Sequence, residues 1–242
     1  MELPQTTFTL NSRAGYEAHE ANATLSLTLD RAVDEHWHLL LGSVWDRLDF
    51  SGGAAGSPGT LQYAAAKLGV EYRVQDEPVF SLNFQPGLYG DEDLSSGAFD
   101  VPVRLEAGYP LDDHWALAGG LDYSRLGEFF LPIFGVVANF APQWELALIF
   151  PEPTLSYRPD EKTTATLFME LLDTGYRLSD GRRLGYYQSH AGASWEREFR
   201  DGWSASVKAG WAFDRTFDFF QHARSGHPGD APFVELGLSK IW

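Results

Sequence analysis

The sequence predicts an all-β chain that closes into an up-and-down antiparallel barrel with an apolar exterior, the architecture of a transmembrane β-barrel. Three observations carry that expectation: side chains alternate apolar and polar with period two through one segment after another, two kinds of connection alternate along the chain, and tryptophan recurs beside one kind. The 242 residues include 24 Gly, 17 Phe, 10 Tyr and 8 Trp but only 2 Met and no Cys, which favours strands and tight turns over packed helices. Residues 1–242 are read as one domain.

The alternation is plain in three stretches. From Leu61 to Val74, Ala64, Ala66, Leu68, Val70, Tyr72 and Val74 share one face, opposite Tyr63, Ala65, Lys67, Gly69, Glu71 and Arg73. From Val101 to Tyr109, Val101, Val103, Leu105, Ala107 and Tyr109 oppose Pro102, Arg104, Glu106 and Gly108. In Pro232 to Trp242 the faces are Val234, Leu236, Leu238, Lys240, Trp242 and Phe233, Glu235, Gly237, Ser239, Ile241.

Short polar turns are expected at 33–36, 75–78, 111–114, 141–143, 159–162 and 200–202. Between them run longer or more irregular links at 17–22, 51–59, 90–97, 126–130, 151–153, 179–185 and 221–231. They divide the chain into fourteen strands, an even number that returns both termini to the short-turn rim. Twelve is the alternative, if "WELALIFPEPTLSY" (144–157) forms a folded hairpin or a kinked strand, since Pro151 and Pro153 cannot donate to a central ladder. Short periplasmic turns, longer extracellular loops and an even strand number are outer-membrane features; a soluble antiparallel barrel shares them in part.

A repeated phrase favours the membrane. "DEHWHLLLG" (34–42) returns as "DDHWALAGG" (112–120), an acidic turn followed by His-Trp and an alternating run. Trp37 is followed eight residues on by Trp45, Trp115 by Tyr123 and Trp203 by Trp211; an even step keeps each pair on one face. Eight residues span roughly 26 Å along a strand, or about 20 Å along a tilted barrel axis, close to an apolar band of about 25 Å bounded by two aromatic girdles. Trp144 and Trp242 complete the expected girdle at the short-turn rim.

The net charge of −16 repels phosphate backbones, so nucleic acid is not an expected partner. The lack of Cys removes disulfides, thiolate metal sites and a Cys nucleophile. No apolar run is long enough for a spanning helix, which says nothing against a spanning barrel. "MELPQTTFTL" has no basic-then-apolar leader; for an exported protein it reads as a mature chain with an added Met1.

The terminal "VELGLSKIW" resembles the C-terminal strand of bacterial outer-membrane proteins. That resemblance implies a Gram-negative outer-membrane location, recognition by the barrel-assembly machinery, and contact with outer-membrane lipid and lipopolysaccharide. Lys240 departs from the apolar pattern, at a position where a lysine can snorkel. More narrowly, "LNFQPGLYGDED" (82–93), "LPIFGVVANFAPQWELALIFPEPTLSY" (131–157) and the closing strand are similar to a family of outer-membrane barrels of unknown function. It implies fold and location, and no catalytic residue.

The lumen of such a barrel would be lined by Lys67, Glu71, Arg73, Arg104, Glu106, Asp122, Glu170, His190, Glu196, Lys208, Asp214 and Glu235. Opposite signs on adjacent strands can pair and fill a narrow interior, or line a passage for small solutes. The expected role is therefore a structural barrel or a small porin-like passive channel. An outer-membrane enzyme, lipid-modifying or protease-like, is an alternative, and a soluble ligand-binding barrel a weaker one. Ser189 and His190 are strand neighbours on opposite faces and cannot form a Ser–His pair. His36 and His38 share a face, without a third ligand at metal spacing. His222, His227 and Asp230 fall in a loop. Asp91, Glu92 and Asp93 are the one weak cation candidate, in a spacing that matches no cation loop. No catalytic residue and no cofactor are expected.

Overall fold

The computed structural model describes residues 5–15, 19–51, 58–74, 78–200, 202–220 and 224–241. Its strands are β1 (Gln5–Gly15), β2 (His19–Ala32), β3 (Trp37–Ser51), β4 (Thr60–Tyr72), β5 (Val79–Phe84), β6 (Gly87–Gly90), β7 (Phe99–Asp100), β8 (Val103–Pro110) and β9 (Trp115–Ser124). They continue as β10 (Phe129–Ala141), β11 (Trp144–Phe150), β12 (Thr154–Asp160), β13 (Thr163–Arg177), β14 (Arg183–Arg200), β15 (Trp203–Phe219), β16 (Arg224–Gly226) and β17 (Ala231–Ile241). All belong to one sheet. Among the described residues the only helix is a single 3-10 turn, Ser96–Ala98.

The sheet closes. Antiparallel ladders run from β1 through β2, β3 and β4 to β5, from β5 to β8, and on through β9 to β15. β15 then pairs with β17, and β17 pairs back onto β1.

Two proline dipeptides break the wall. Gln85-Pro86 separates β5 from β6, which both pair with β4; Val101-Pro102 separates β7 from β8. A proline brings no N–H to the ladder, and the chain shifts at each. A second circuit forms here, because Gly90 of β6 bridges Arg177 at the free upper edge of β13, in a parallel contact. The barrel therefore pinches toward its long-loop rim, where the ring β1–β2–β3–β4–β6–β13–β14–β15–β17 closes without β8 to β12.

Wall height is uneven. β13, β14 and β15 have 15, 18 and 17 residues, while β11 and β12 have 7 each. The β12–β13 ladder stops at Thr154↔Phe168 and the β10–β11 ladder at Phe134↔Phe150. Above the short β11–β12 hairpin, the turn at 125–128 reaches across to β13. A Cβ on Gly175 would overlap Gly127 N, so only glycine lets the two backbones meet there. Leu126 joins the buried cluster, and Tyr187 Oη donates to Gly127 O (3.2 Å).

The two faces differ in chemistry. Large apolar side chains stand exposed on the outside of strand after strand: Leu39 and Leu41, Leu117, Phe130 and Phe134, Leu148, Leu167 and Met169, Val234, Leu236 and Leu238. The inward faces carry the charges. This is the reverse of a soluble barrel, whose apolar side chains fill the inside.

Candidate functional site: the barrel interior

The His-Trp repeat is a turn device. Asp34 Oδ1 accepts the backbone N–H groups of His36 (2.8 Å) and Trp37 (2.9 Å), and Asp112 Oδ1 accepts those of His114 and Trp115 at the same distances. Each carboxylate closes a short turn on itself and launches the next strand with its Trp outward. The two backbone N–H groups hold the Asp34 carboxyl below its ordinary value.

Trp37, Trp115, Tyr123, Trp144 and Trp211 are exposed on the outer surface, and Trp45 and Trp203 are partly covered. Trp37 packs edge-on to Tyr72, and Trp144 against Tyr157. Lys240 Nζ lies 5.8 Å from the Trp203 ring centroid. Trp242, His222 and most of the 75–78 turn lie outside the described residues.

Inside, charges gather in clusters. Near the short-turn rim Asp30 takes His38 Nδ1 (2.9 Å) and Arg73 (3.1 Å), while Arg73 Nε donates to Glu71 (2.6 Å). On the β8–β9 wall Arg104 meets Glu106 (3.0 Å), Glu152 (3.5 Å) and Asp122 (3.9 Å). Across the interior Glu170 holds His190 Nδ1 (3.0 Å) and Lys208 Nζ (2.6 and 2.7 Å). His190 is fully buried, with its ring 4.4 Å from Phe233; Lys208 sits 4.4 Å from the Phe168 ring centroid. Glu235 stands opposite Lys208 in the β15–β17 register, and Glu196 accepts from Ser204 Oγ (2.7 Å).

Lys67 bonds hydroxyls instead of a carboxylate: Ser26 Oγ (3.2 Å) and Thr28 Oγ1 (3.1 Å). Asp214 does not face inward. The β14–β15 register shifts between Tyr187 and Ser189, Asp214 takes φ +51° and is exposed, and Arg215 is buried in its stead. A bulge of this kind reverses side-chain parity.

Arg215 is central to a buried group that sequence alternation did not reveal. It donates to Glu20 Oε2 (2.6 Å) and to Gly229 O (3.0 Å), and Tyr186 Oη donates to the same Glu20 oxygen (2.7 Å). Above it Val44, Leu48, Leu61, Tyr89, Leu126, Tyr176, Leu184, Tyr186, Phe217 and Phe219 form one buried cluster. It fills the pinched end of the barrel. Against it, sharing Tyr89, lies a cavity of about 370 Å³, lined among others by Lys67, Asn83, Arg104, Asp122, Phe129 and Asp173.

The remaining candidates are dispersed. His36 stays in its turn, stacked on Tyr72, while His38 turns inward, so the two do not share a site. His227 Nδ1 lies 3.2 Å from Thr216 Oγ1, and Asp230 is exposed. Asp91 Oδ2 accepts the Ser179 N–H and hydroxyl (2.8 Å each), tying the 90–97 link to the β13–β14 loop. Among the described residues no three His, Asp or Glu converge as a metal site.

An apolar exterior around a charged interior, in a sheet that closes on itself, defines the class: the chain has the fold of outer-membrane β-barrels. Solved structures share it. An outer membrane channel from Pseudomonas putida F1 is 12% identical, with 100% of this chain and 97% of that one covered at a TM-score of 0.57. LpxR from Salmonella typhimurium is 9% identical, covering 98% and 100%, at 0.53. The NanC porin is 6% identical, covering 96% and 98%, at 0.50. No family model and no curated protein matches the sequence, so the narrower family resemblance rests on its own segments.

Proposed function

We propose that this chain is a bacterial outer-membrane barrel with a narrow, acidic interior, a structural barrel that passes at most small solutes. Counting each proline-broken or interrupted pair (β5 with β6, β7 with β8, β16 with β17) as one crossing, the seventeen strands reduce by three to fourteen. The turns at 33–36, 111–114, 141–143 and 161–162 then face the periplasm and the longer links face outward.

The observation that carries this reading is the division of faces: Leu236 and Phe130 stand more than half exposed outside, while Glu170, His190 and Lys208 satisfy one another within. Exposed apolar bands suit lipid. The paired clusters around Arg104, Glu170 and Arg215, beside an aromatic plug, suit a narrow lumen rather than a wide pore or a reactive centre. The similarity to a solved outer-membrane channel supports the same reading.

Planar bilayers test it. Folded protein should give small steps favouring cations, because Glu71, Glu106, Asp122, Glu170 and Glu235 exceed the interior cations Lys67, Arg73, Arg104 and Lys208 beside them. Glu106→Gln or Asp122→Asn should weaken the preference, as should high salt. Large anion-selective steps would overturn the reading. A silent bilayer would leave the structural barrel alone.

A further inference from the structure

Two ionisable side chains that line the same cavity have no ion-pair partner among the described residues. Lys67, on β4, has only the Ser26 and Thr28 hydroxyls as polar partners among the described residues. Asp173, on β13, has a buried Oδ1 with no hydrogen-bond partner. The two do not bridge each other, although both line the cavity of about 370 Å³. The other two charged residues of the wall do not neutralise Asp173: Asp122 is itself a carboxylate, and the Arg104 guanidinium is drawn to Glu106, Glu152 and Asp122.

The arrangement differs from that of Arg104, Glu170 and Arg215, each of which meets a charged partner directly. A buried charge without a partner is costly. Asp173 sits here because of the fold: its alternation with Leu171 and Gly175 places it on the outer-parity face of β13, and the 125–128 turn covers that face at Gly175. What would be a lipid-facing position on a regular barrel becomes a cavity wall, opposite the inward faces of β4, β8 and β9.

We propose that this cavity binds a small zwitterionic solute, with the solute's carboxylate on Lys67 and its ammonium on Asp173. An uncharged aliphatic remainder would lie against Leu40, Tyr63, Tyr89 and Phe129. One such molecule satisfies both charges at once and adds no net charge to an acidic chain. A ligand with one charge leaves the other wall unpaired. The volume falls within the range of about 300–1,000 Å³ of small-molecule pockets. This inference rests on the fold and not on conduction, so a silent bilayer leaves it standing.

Calorimetric titration of the full chain in detergent decides it, with L-leucine, 3-methylbutylamine (the same skeleton without the carboxylate) and 4-methylpentanoate (without the ammonium) as probes. L-Leucine should bind about tenfold or more tighter than either analogue, because each analogue leaves one of the two buried groups without an ionic partner. Lys67→Gln should lower leucine affinity to the level of the amine and leave the amine unaffected. Asp173→Asn should do the converse with the carboxylate probe. Heat-shifted gel mobility reports whether each variant is folded, and the comparison of three probes on the unsubstituted chain needs no variant. No leucine binding, leucine binding no tighter than the analogues, or folded variants that bind leucine as the parent does would each overturn the proposal.

Discussion

Asp34 shows how much one side chain can specify. Its carboxylate oxygen takes two backbone N–H groups of the turn, which a charged acceptor does better than a neutral one. Asp34→Ala should lower the midpoint of the heat-modifiable gel transition, and Asp34→Asn, which keeps an acceptor oxygen, should lower it less. The sign with pH follows from the depressed folded value: the contribution is complete above the ordinary carboxylate range and is lost as pH falls through the lower folded pKa. The Asp34→Ala deficit should therefore shrink in acid, and a deficit independent of pH would show that the turn does not depend on the charge. Arg215 makes a stronger case because it is buried with Glu20. Arg215→Met strands the Glu20 carboxylate and should cost about 3 to 5 kcal/mol in urea unfolding from liposomes. The double variant Glu20→Gln with Arg215→Met should recover part of that, and no recovery would mean that the pair is not coupled.

At the scale of the strand, alternation decides which residues meet lipid. In β17, Leu236 is 61% exposed outside, while Ser239 Oγ lies 2.6 Å from Ser204 Oγ inside. Leu236→Arg should destabilise by about 2 to 4 kcal/mol near the midplane, and Ser239→Arg by less; equal losses in the same unfolding assay would mean that the faces are inverted. Period two made the strands, the short turns and the apolar face legible in the sequence, and it placed Lys67, Arg104, Asp122, Glu170, His190 and Lys208 on the inward face. It failed wherever the ladder slips. Nothing local in "AFDRTF" (212–217) signals the bulge that exposes Asp214 and buries Arg215, and Glu20 fell in a segment read as a link although β2 begins at His19. Asp173 was missed for a different reason: its alternation is regular, and its environment is made by a turn some 46 residues away in sequence at Gly127. Contacts of that kind are tertiary and leave no periodic trace. Pro102 was read inside a regular strand and Pro86 was not singled out, although each interrupts the wall, because the direction in which the chain shifts after each depends on β4 and β13.

The whole molecule is a barrel with one low side. Where the β10–β11 and β12–β13 ladders end, the upper edges of β10 and β13 are no longer spanned by strands, and backbone groups left open at membrane depth must be covered by protein or face a cavity. Three contacts provide that cover above the β11–β12 hairpin: the Gly175–Gly127 approach, the Tyr187 bond to Gly127 O, and the ion pair of Arg183 with Glu128. The closure also holds Leu126 in the aromatic plug, so the height of the wall and the width of the lumen are coupled through a single turn. Gly175→Val puts a branched side chain where only hydrogen fits. It should lift the 125–128 turn from β13, loosen the packing of Leu126 against Tyr176 and Leu184, and raise single-channel conductance over the parent. Glu128→Gln removes only the ion pair, which is partly exposed and worth about 1 kcal/mol or less, so it should change conductance little. Proteolysis of intact vesicles gives an independent measure, with cleavage in the 125–128 turn expected to rise in Gly175→Val alone. A Gly175→Val barrel that folds, resists cleavage there and conducts as the parent does would show that this turn does not close the interior.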